Sequence, residues 1–187
     1  MSDFIQFVNT LSLLDRAAID DLFKNLKNKT VPKGDYLLKS GDICRYLYFI
    51  DEGLLKTFFN NEIKEFTMRF FPENSMFTVL DSFLSQTPST YMILALEHTT
   101  VTCISKSTLD DLCKRHHSIE TFFRKLVSFA SINMMKRISE MLEENGTARY
   151  NNFIKENNHL LQRISLGDLA NYLGITQVSL SRIRAKR

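Results

Sequence analysis

Between residues 33 and 53 the chain reads Lys33-Gly34-Asp35-Tyr36-Leu37-Leu38-Lys39-Ser40-Gly41-Asp42-Ile43-Cys44-Arg45-Tyr46-Leu47-Tyr48-Phe49-Ile50-Asp51-Glu52-Gly53. Glycines beside acidic residues mark corners here, and aromatic and aliphatic residues fill the runs between them. Glycine tolerates the backbone of tight corners, and short apolar runs between turn residues are typical of β-strands. The pattern extends over residues 30–105, where residues 46–50 and 101–104 are the best candidates for buried strands. The sequence therefore predicts an antiparallel β-roll.

Helical segments flank the predicted roll. Residues 4–26 repeat apolar side chains every three or four positions, and Asp15 is placed to cap the second of two helices. Residues 118–144 keep the helical period for longer than a usual globular helix. One apolar stripe contains Ile119, Phe123, Val127, Ala130, Met134, Ile138 and Met141, and a second contains Phe122, Leu126, Phe129 and Met135. We expect a connecting helix at residues 147–157, after Asn145-Gly146 ends the long helix.

The long helix needs two partners because it has two apolar sides. One side can pack on the roll, and the other is best explained by a second copy of the chain across a two-fold axis. The alternative is a helix that is wholly buried in one monomer. The predicted dimer interface consists of Phe123, Leu126, Val127, Ala130, Met134, Ile138 and Met141.

Residues 164–183 are typical of a helix-turn-helix. Ser165 can cap a first short helix, Gly174 can end it, and Thr176 can cap a second helix. In the second helix, Val178, Leu180 and Ile183 alternate with polar residues, so it has a buried side and a side that can read DNA. The alternative is that two amphipathic helices merely close a core.

Charge favours the DNA-binding interpretation. From Leu160 to the end, five basic residues stand against one acidic residue, a net charge of +4, whereas the whole chain carries only +3. A surface that faces a polyanion needs such a local excess, because neutralised phosphates release condensed counterions. The predicted DNA-binding residues are Ser165, Thr176, Gln177, Val178, Ser179, Ser181, Arg182, Arg184 and Lys186.

Length and composition set the remaining limits. A chain of 187 residues with 44% hydrophobic content can bury a sizeable core. We expect a roll with N-terminal helices over residues 1–117, a dimerisation helix over 118–146 and a DNA-binding domain over 147–187. The N-terminus lacks the pattern of a signal peptide and no apolar run could span a membrane, so we expect a cytoplasmic protein without membrane contact. The three cysteines are odd in number and widely spaced, so they suggest neither a disulfide framework nor a Cys-x-x-Cys metal site.

The order of roll, long helix and helix-turn-helix resembles the CRP/FNR family of bacterial transcription regulators. The segment over residues 33–53 is similar to that family's pattern K-G-x-x-[LI]-x-x-x-G-[DE], followed by Y-[FL]-[IL]-x-x-G. The resemblance implies an α+β fold with a jelly-roll-like β-roll, a long dimerisation helix and a C-terminal winged-helix-type domain. It also implies a homodimer that binds double-stranded DNA, with RNA polymerase as a further partner if the protein is an activator.

Two departures from the family concern its DNA-binding domain. Where many members have Arg-Glu, the predicted reading helix has Gln177-Val178. Glutamine can contact adenine and valine can pack on a thymine methyl, so the operator should differ from the usual guanine-containing half-site. The given sequence ends at Arg187, where the family continues into a β-hairpin wing, and a missing wing would weaken phosphate anchoring.

The resemblance also locates a candidate effector pocket. Family members that bind cyclic AMP hold its phosphate with an arginine and its ribose with a glutamate, but this chain has Ser89 and Thr78-Val79 at the matching positions. We therefore expect no response to cyclic AMP. The roll either lacks a ligand or binds another, unidentified small molecule. The candidate pocket residues are Arg69, Thr78, Val79, Ser89, Thr90, Tyr91 and Met92.

Other functional classes find little support. An iron–sulfur cluster needs four thiolates, whereas this chain has three cysteines and none before Cys44. The candidates for a haem ligand are His98, His116, His117 and His159, but His116-His117 follows Lys114-Arg115 at an expected helix boundary, where surface histidines are common. We therefore expect no metal and no cofactor. No glycine-rich phosphate loop or catalytic motif occurs, so we do not expect an enzyme. The main alternative is an effector-binding or protein-interaction module with a cyclic-nucleotide-like roll and no DNA binding.

Overall fold

The computed structural model describes residues 2–185 as two N-terminal helices, eight strands and a helical C-terminal half. The N-terminal helices are α1 (Ser2–Leu11) and α2 (Arg16–Asn25). The strands are β1 (Lys27–Val31), β2 (Tyr36–Leu38), β3 (Tyr46–Glu52), β4 (Leu55–Asn60), β5 (Glu65–Phe71), β6 (Met76–Phe77), β7 (Met92–Ala95) and β8 (Thr99–Ser105), with α3 (Leu80–Ser85) between β6 and β7. The remaining helices are α4 (Lys106–Arg115), α5 (His117–Glu143), α6 (Gly146–Asn157), a 3-10 turn (Asn158–Leu160), α7 (Leu166–Leu173) and α8 (Gln177–Ala185).

The strands form two four-stranded antiparallel sheets, which confirms the predicted roll. The first sheet has the order β1-β8-β3-β6 and the second has the order β2-β7-β4-β5. Both strands that were predicted to be buried lie in the first sheet and pair with each other, with Leu47 opposite Ile104 and Ile50 opposite Val101. Those four side chains are at most 4% exposed. The apolar side chains of β3 and β8 thus belong to the core of the roll.

Local capping explains where several helices begin. The Asp15 side chain accepts a hydrogen bond from the Ala18 N–H at 2.8 Å, as the sequence predicted. The Asn145 side chain accepts from the Thr147 and Ala148 N–H groups, each at 3.0 Å. Helix α6 therefore starts at Gly146, one residue earlier than expected, because Asn145 acts as its N-cap as well as following the long helix.

Two apolar clusters hold the chain together. The first lies between the sheets and α1, α2, α4 and the first half of α5. The second combines seven residues of the C-terminal helical region with Leu54 and Phe70 from the roll. The C-terminal members are Tyr150, Phe153, Leu160, Leu169, Ala170, Leu173 and Leu180. A unit of about 40 residues buries too little surface to be stable alone, so the helix-turn-helix completes its core on the roll.

Within residues 2–185 no helix is both long and apolar enough to span a membrane. All three cysteines are free thiols, and Cys44 and Cys103 are buried. Burial raises the pKa of the Cys113 thiol to about 11, so this side chain is protonated at neutral pH.

Gly53 provides a test of the roll's corner geometry. Its φ is +96°, and a Cβ at this position would lie 2.5 Å from Thr99 Oγ1 and 2.6 Å from the His98 carbonyl oxygen. Gly41 has a similar φ of +90°, but an added Cβ would meet nothing within 4 Å. We expect Gly41→Ala to lower the free energy of unfolding by roughly 1–2 kcal/mol through backbone strain alone. Gly53→Ala should cost clearly more, and equal losses in urea denaturation would contradict this account.

Candidate nucleic-acid interface

The two helices of the predicted helix-turn-helix have the expected caps. Ser165 Oγ accepts a hydrogen bond from the Asp168 N–H at 3.0 Å, so α7 begins where the sequence predicted. Gly174 ends α7 with a φ of +66°, and its N–H donates to the Ala170 and Asn171 carbonyls. Thr176 Oγ1 accepts from the Ser179 N–H at 3.1 Å and starts α8. Local chemistry alone therefore fixes both helix starts and the turn.

Helix α8 has one buried side and one exposed side. Leu180 is fully buried, and Ile183 packs against the second apolar cluster. The opposite side exposes Gln177, Val178, Ser181, Arg182 and Arg184, with Val178 61% exposed. Ser179 is half-buried beside Thr176. Lys186 lies outside the described residues.

The starts of α7 and α8 meet at Gly167. A Cβ on Gly167 would lie 3.0 Å from Gln177 Nε2 and 3.6 Å from Ser165 Oγ. The absence of a side chain therefore lets Gln177 lie against the first turn of α7. Two of the predicted DNA-binding residues, Ser165 and Gln177, thus border one patch of surface.

A buried lysine joins this edge of the helix-turn-helix to the roll. Lys56 on β4 is only 5% exposed, and its Nζ lies 2.6 Å from Asp168 Oδ1 on α7 and 2.7 Å from Glu65 Oε1 on β5. Asn171 on α7 also donates to Glu65 Oε1 at 3.2 Å. Asp168 Oδ2 accepts from Ser165 Oγ at 2.6 Å, so the helix cap and the interdomain ion pair share one carboxylate.

A second ion-pair group also joins the roll to the C-terminal helices. The Arg163 guanidinium makes two hydrogen bonds to Glu73, at 2.7 and 2.8 Å, and two to Glu97, at 2.6 and 2.9 Å. These bonds hold the pKa of the Glu73 carboxyl at about 2, and the Gly53 N–H also donates to it at 3.0 Å. Glu73 and Glu97 belong to the roll, whereas Arg163 precedes α7. We refer to Lys56, Glu65, Asp168, Arg163, Glu73 and Glu97 together as the interdomain clamp.

The clamp pairs two of the charged residues that the sequence assigned to the C-terminal basic segment. Arg163 was counted in the basic excess of the C-terminal segment, but in the structure it is paired with two roll carboxylates. Asp168, the single acidic residue of that segment, is paired with Lys56. Within residues 2–185, the basic side chains of this segment that remain exposed are therefore Arg182 and Arg184 on α8. No feature of the sequence indicated a role for Lys56.

Helix α5 uses its two apolar sides differently along its length. Leu126 is buried against the roll, and Phe123 makes an edge-to-face contact with Phe83 at 6.1 Å. These two predicted interface residues are therefore engaged within one chain. Farther along, Arg137 lies over the Tyr172 ring and donates to its carbonyl, and Met141 approaches Gly174.

The rest of α5 is exposed. Of the twelve exposed large hydrophobic side chains among the described residues, seven lie on this helix. They are Phe129, Ile132, Met134, Met135, Ile138, Met141 and Leu142. Of the seven residues predicted for the dimer interface, five therefore remain candidates, because Phe123 and Leu126 are packed within one chain. The five are Val127, Ala130, Met134, Ile138 and the exposed part of Met141. Ile132 and Leu142 were not predicted, because they lie off the two stripes that the sequence showed.

Two of the candidate effector residues, Ser89 and Thr78, are hydrogen-bonded to nearby backbone groups. Ser89 is buried, and its hydroxyl donates to the Tyr91 carbonyl and accepts from the Tyr91 N–H. Thr78 Oγ1 donates to the Tyr46 carbonyl at 2.9 Å, and Val79 is the residue before α3. Arg69 and Thr90 are exposed, and Met92 is half-buried on β7. A cavity of about 470 Å³ lies instead outside the first sheet, lined by residues including Phe4, Phe23 and Asp51, and none of the seven candidates lines it.

Metal-ligating side chains do not cluster. Among residues 2–185, no group of three or more His, Cys, Asp or Glu residues could hold a metal ion. His116 lies 3.0 Å from Asp21 on α2, and His117 lies 4.0 Å from Glu120 on its own helix, so each of these histidines is beside one carboxylate.

Comparison with known proteins identifies the class of fold. Residues 28–116 match the family model described as the cyclic nucleotide-binding domain. No curated protein sequence matches the chain.

Solved structures match most of the chain. FixK2 from Bradyrhizobium japonicum has a TM-score of 0.74 and 14% identity, covering 86% of this chain and 83% of that one. A CRP/FNR-family protein from Eubacterium rectale has a TM-score of 0.71 and 18% identity, covering 92% and 83%. The c-di-GMP-responsive global regulator CLP from Xanthomonas campestris has a TM-score of 0.69 and 16% identity, covering 92% and 91%. The protein therefore has the fold of CRP/FNR-family regulators.

Proposed function

We propose that the protein is a sequence-specific, DNA-binding transcription regulator that acts as a homodimer. The observation that carries this proposal is the exposed side of α8, which presents Gln177, Ser181, Arg182 and Arg184 while Leu180 anchors the opposite side. An α-helix of this kind fits the major groove, where polar side chains can reach base edges. The fold shared with CRP/FNR-family regulators supports the same function.

Different residues of α8 are proposed to have different roles. Gln177 lies at the first turn of α8, and the first turns of recognition helices contact base edges. Val178 is exposed and apolar, which suits a thymine methyl group. Arg182 and Arg184 supply the charge that phosphates need, and Ser165, Thr176 and Ser179 line the same edge with hydroxyl groups.

Dimerisation is proposed to use the exposed part of α5. Seven exposed large apolar side chains on one helix are unusual for a monomer. A second copy of the same helix would cover them with a self-complementary surface. Two reading helices related by a two-fold axis would then contact two half-sites of an operator. RNA polymerase would be a further partner if the protein activates transcription.

Insensitivity to cyclic AMP is proposed because the residues aligned with the family's binding site carry no charge. Ser89 and Thr78-Val79 supply no charge, and the hydroxyl groups of Ser89 and Thr78 are already bonded to backbone groups. A cyclic phosphate would lose its charge-assisted hydrogen bonds there. The proposal leaves open another small-molecule effector of the roll.

Base reading and phosphate contact can be separated by two substitutions on α8. Gln177→Ala should cost roughly 1–3 kcal/mol at the preferred operator and relax the preference at one base pair, with an almost unchanged salt dependence. Arg184→Ala should weaken binding to all sequences about equally and lower the slope of log K against log salt by roughly one unit. Titration of cognate and scrambled duplexes at several salt concentrations measures both. A Gln177→Ala variant that behaves as the wild type on every duplex would place α8 outside the major groove.

Charged residues on the exposed side of α5 should abolish both dimerisation and DNA binding. We expect the double variant Met134→Glu/Ile138→Glu to be a monomer in light scattering, because two like charges would face their copies across the seam. Glu143→Lys, which keeps a charge at an exposed position on the side of the helix opposite Met134, serves as the control and should leave the dimer intact. A monomeric wild type would refute the proposed assembly.

Cyclic nucleotides should not affect the protein. At millimolar concentration, cyclic AMP and cyclic GMP should neither raise the melting temperature nor change DNA affinity, because the site lacks its arginine and glutamate. Calorimetric titration is the direct measurement. Micromolar binding of either nucleotide would show that uncharged groups hold the phosphate after all.

A further inference from the structure

A cavity lies between the two N-terminal helices and the outer face of the first sheet. Its volume is about 470 Å³, and its lining includes Phe4 on α1, Phe23 on α2 and Asp51 on β3. A single water needs only roughly 10–15 Å³, whereas sites for small molecules usually occupy roughly 300–1,000 Å³. The cavity is therefore large enough for a small organic molecule, and it is separate from the candidate effector residues of the roll.

Polar side chains from three neighbouring strands meet on the sheet side of this cavity. Thr100 and Thr102 are two positions apart on β8, so their side chains point to the same face of the sheet. Asn28 on β1 is the register partner of Thr102 and lines the same cavity. The register of β3 against β8 shifts over residues 50–52, and Asp51 is the middle residue of this irregularity. A bulge of this kind can redirect a side chain out of the regular ladder, which accounts for the carboxylate in the cavity.

The Asp51 carboxylate can accept more hydrogen bonds than its neighbours supply. Thr102 Oγ1 lies 2.8 Å from Asp51 Oδ2 and 3.2 Å from Asn28 Oδ1, and its single proton goes to the closer, charged acceptor. A carboxylate has about four lone-pair sites, so one hydroxyl group leaves most of them available. Among residues 2–185 no basic side chain forms an ion pair with Asp51, although this residue is half-buried. A partly buried negative charge without a cation favours a positively charged ligand.

Apolar side chains form the helix side of the cavity. Phe4 is buried and contacts the half-buried Phe23 edge-to-face, with 6.2 Å between the ring centres. Leu26, which directly follows α2, extends this apolar lining. Aromatic faces attract cations as well as apolar groups. A ligand that suits both sides of the cavity therefore has an ammonium group on an apolar body.

We propose that this cavity is a binding site for a small organic ammonium ion. Asp51 accepts hydrogen bonds from the ammonium group, and Phe4 and Phe23 contact the apolar part of the ligand. A neutral ligand would leave the charge of Asp51 without a partner, and an anionic ligand would be repelled by it. The site uses no residue of the proposed DNA interface, so the inference does not depend on the proposed function.

Three probes of similar shape test the preference for positive charge. At neutral pH phenethylamine is a cation, 2-phenylethanol is neutral and phenylacetate is an anion. We expect phenethylamine to bind the full wild-type chain at millimolar concentration or below in calorimetric titration, and to shift the amide NMR signals of Thr100 and Thr102. The neutral 2-phenylethanol should bind roughly tenfold more weakly, because it makes no charge-assisted contact, and phenylacetate should not bind. Equal affinity for all three probes, or unchanged amide signals at millimolar phenethylamine, would overturn the inference.

Substitution of Asp51 separates its charge from its shape. Asp51→Asn keeps the size of the side chain and an acceptor for Thr102, so affinity for phenethylamine should fall roughly tenfold while that for 2-phenylethanol stays the same. Asp81→Asn removes a carboxylate from an exposed position on α3 outside the cavity, and this matched control should bind as the wild type does. If Asp51→Asn folds poorly, Phe23→Leu tests the same site, because the loss of an aromatic face should lower affinity for phenethylamine roughly threefold. Unchanged affinity for phenethylamine in whichever of these two variants folds would overturn the inference.

Discussion

The position of the C-terminal helical unit depends on a surface of the roll formed by the second sheet and the turn before β4. Leu54 from this turn and Phe70 from β5 join the apolar cluster of the C-terminal helices. Phe70 contacts both Phe153 and Tyr172 at ring distances of 6.2 and 5.5 Å. A unit of about 40 residues needs such a partner, because its own helices bury too little apolar surface. Apolar contacts alone are not directional. The ion pairs of Lys56 and the bidentate contacts of Arg163 then fix the orientation of the C-terminal helices on the roll, because charge-assisted hydrogen bonds are directional.

The roll therefore also supports the C-terminal helices. Its first sheet, with the paired strands β3 and β8, carries the core. Its second sheet carries the helix-turn-helix. The hydroxyl groups of Ser89 and Thr78 are hydrogen-bonded to backbone groups of Tyr91 and Tyr46. A domain that matches the cyclic nucleotide-binding family thus keeps its fold, while the proposed function assigns it no cyclic nucleotide.

Helix α5 links the two units because its surroundings change along its length. Its first half packs into the roll through Ile119, Phe122 and Leu126, and its last turns contact the helix-turn-helix through Arg137 and Met141. Between and beside these contacts, seven large apolar side chains of α5 are exposed. Helix α5 is therefore in contact with both the roll and the C-terminal helices while part of its apolar surface stays exposed.

The sequence by itself determined the features that depend on neighbours a few residues apart. Asp15, Ser165, Thr176 and Gly174 set helix ends through local hydrogen bonds, and the alternation of apolar runs with corners set the roll. Only the tertiary structure decided which charges are paired and which remain exposed, because Lys56 meets a carboxylate 112 positions away and Arg163 meets one 90 positions away. It likewise placed Leu126 on the roll rather than on a dimer seam. Periodicity shows that a side chain is apolar or charged, but its partner depends on which surfaces the folded chain brings together.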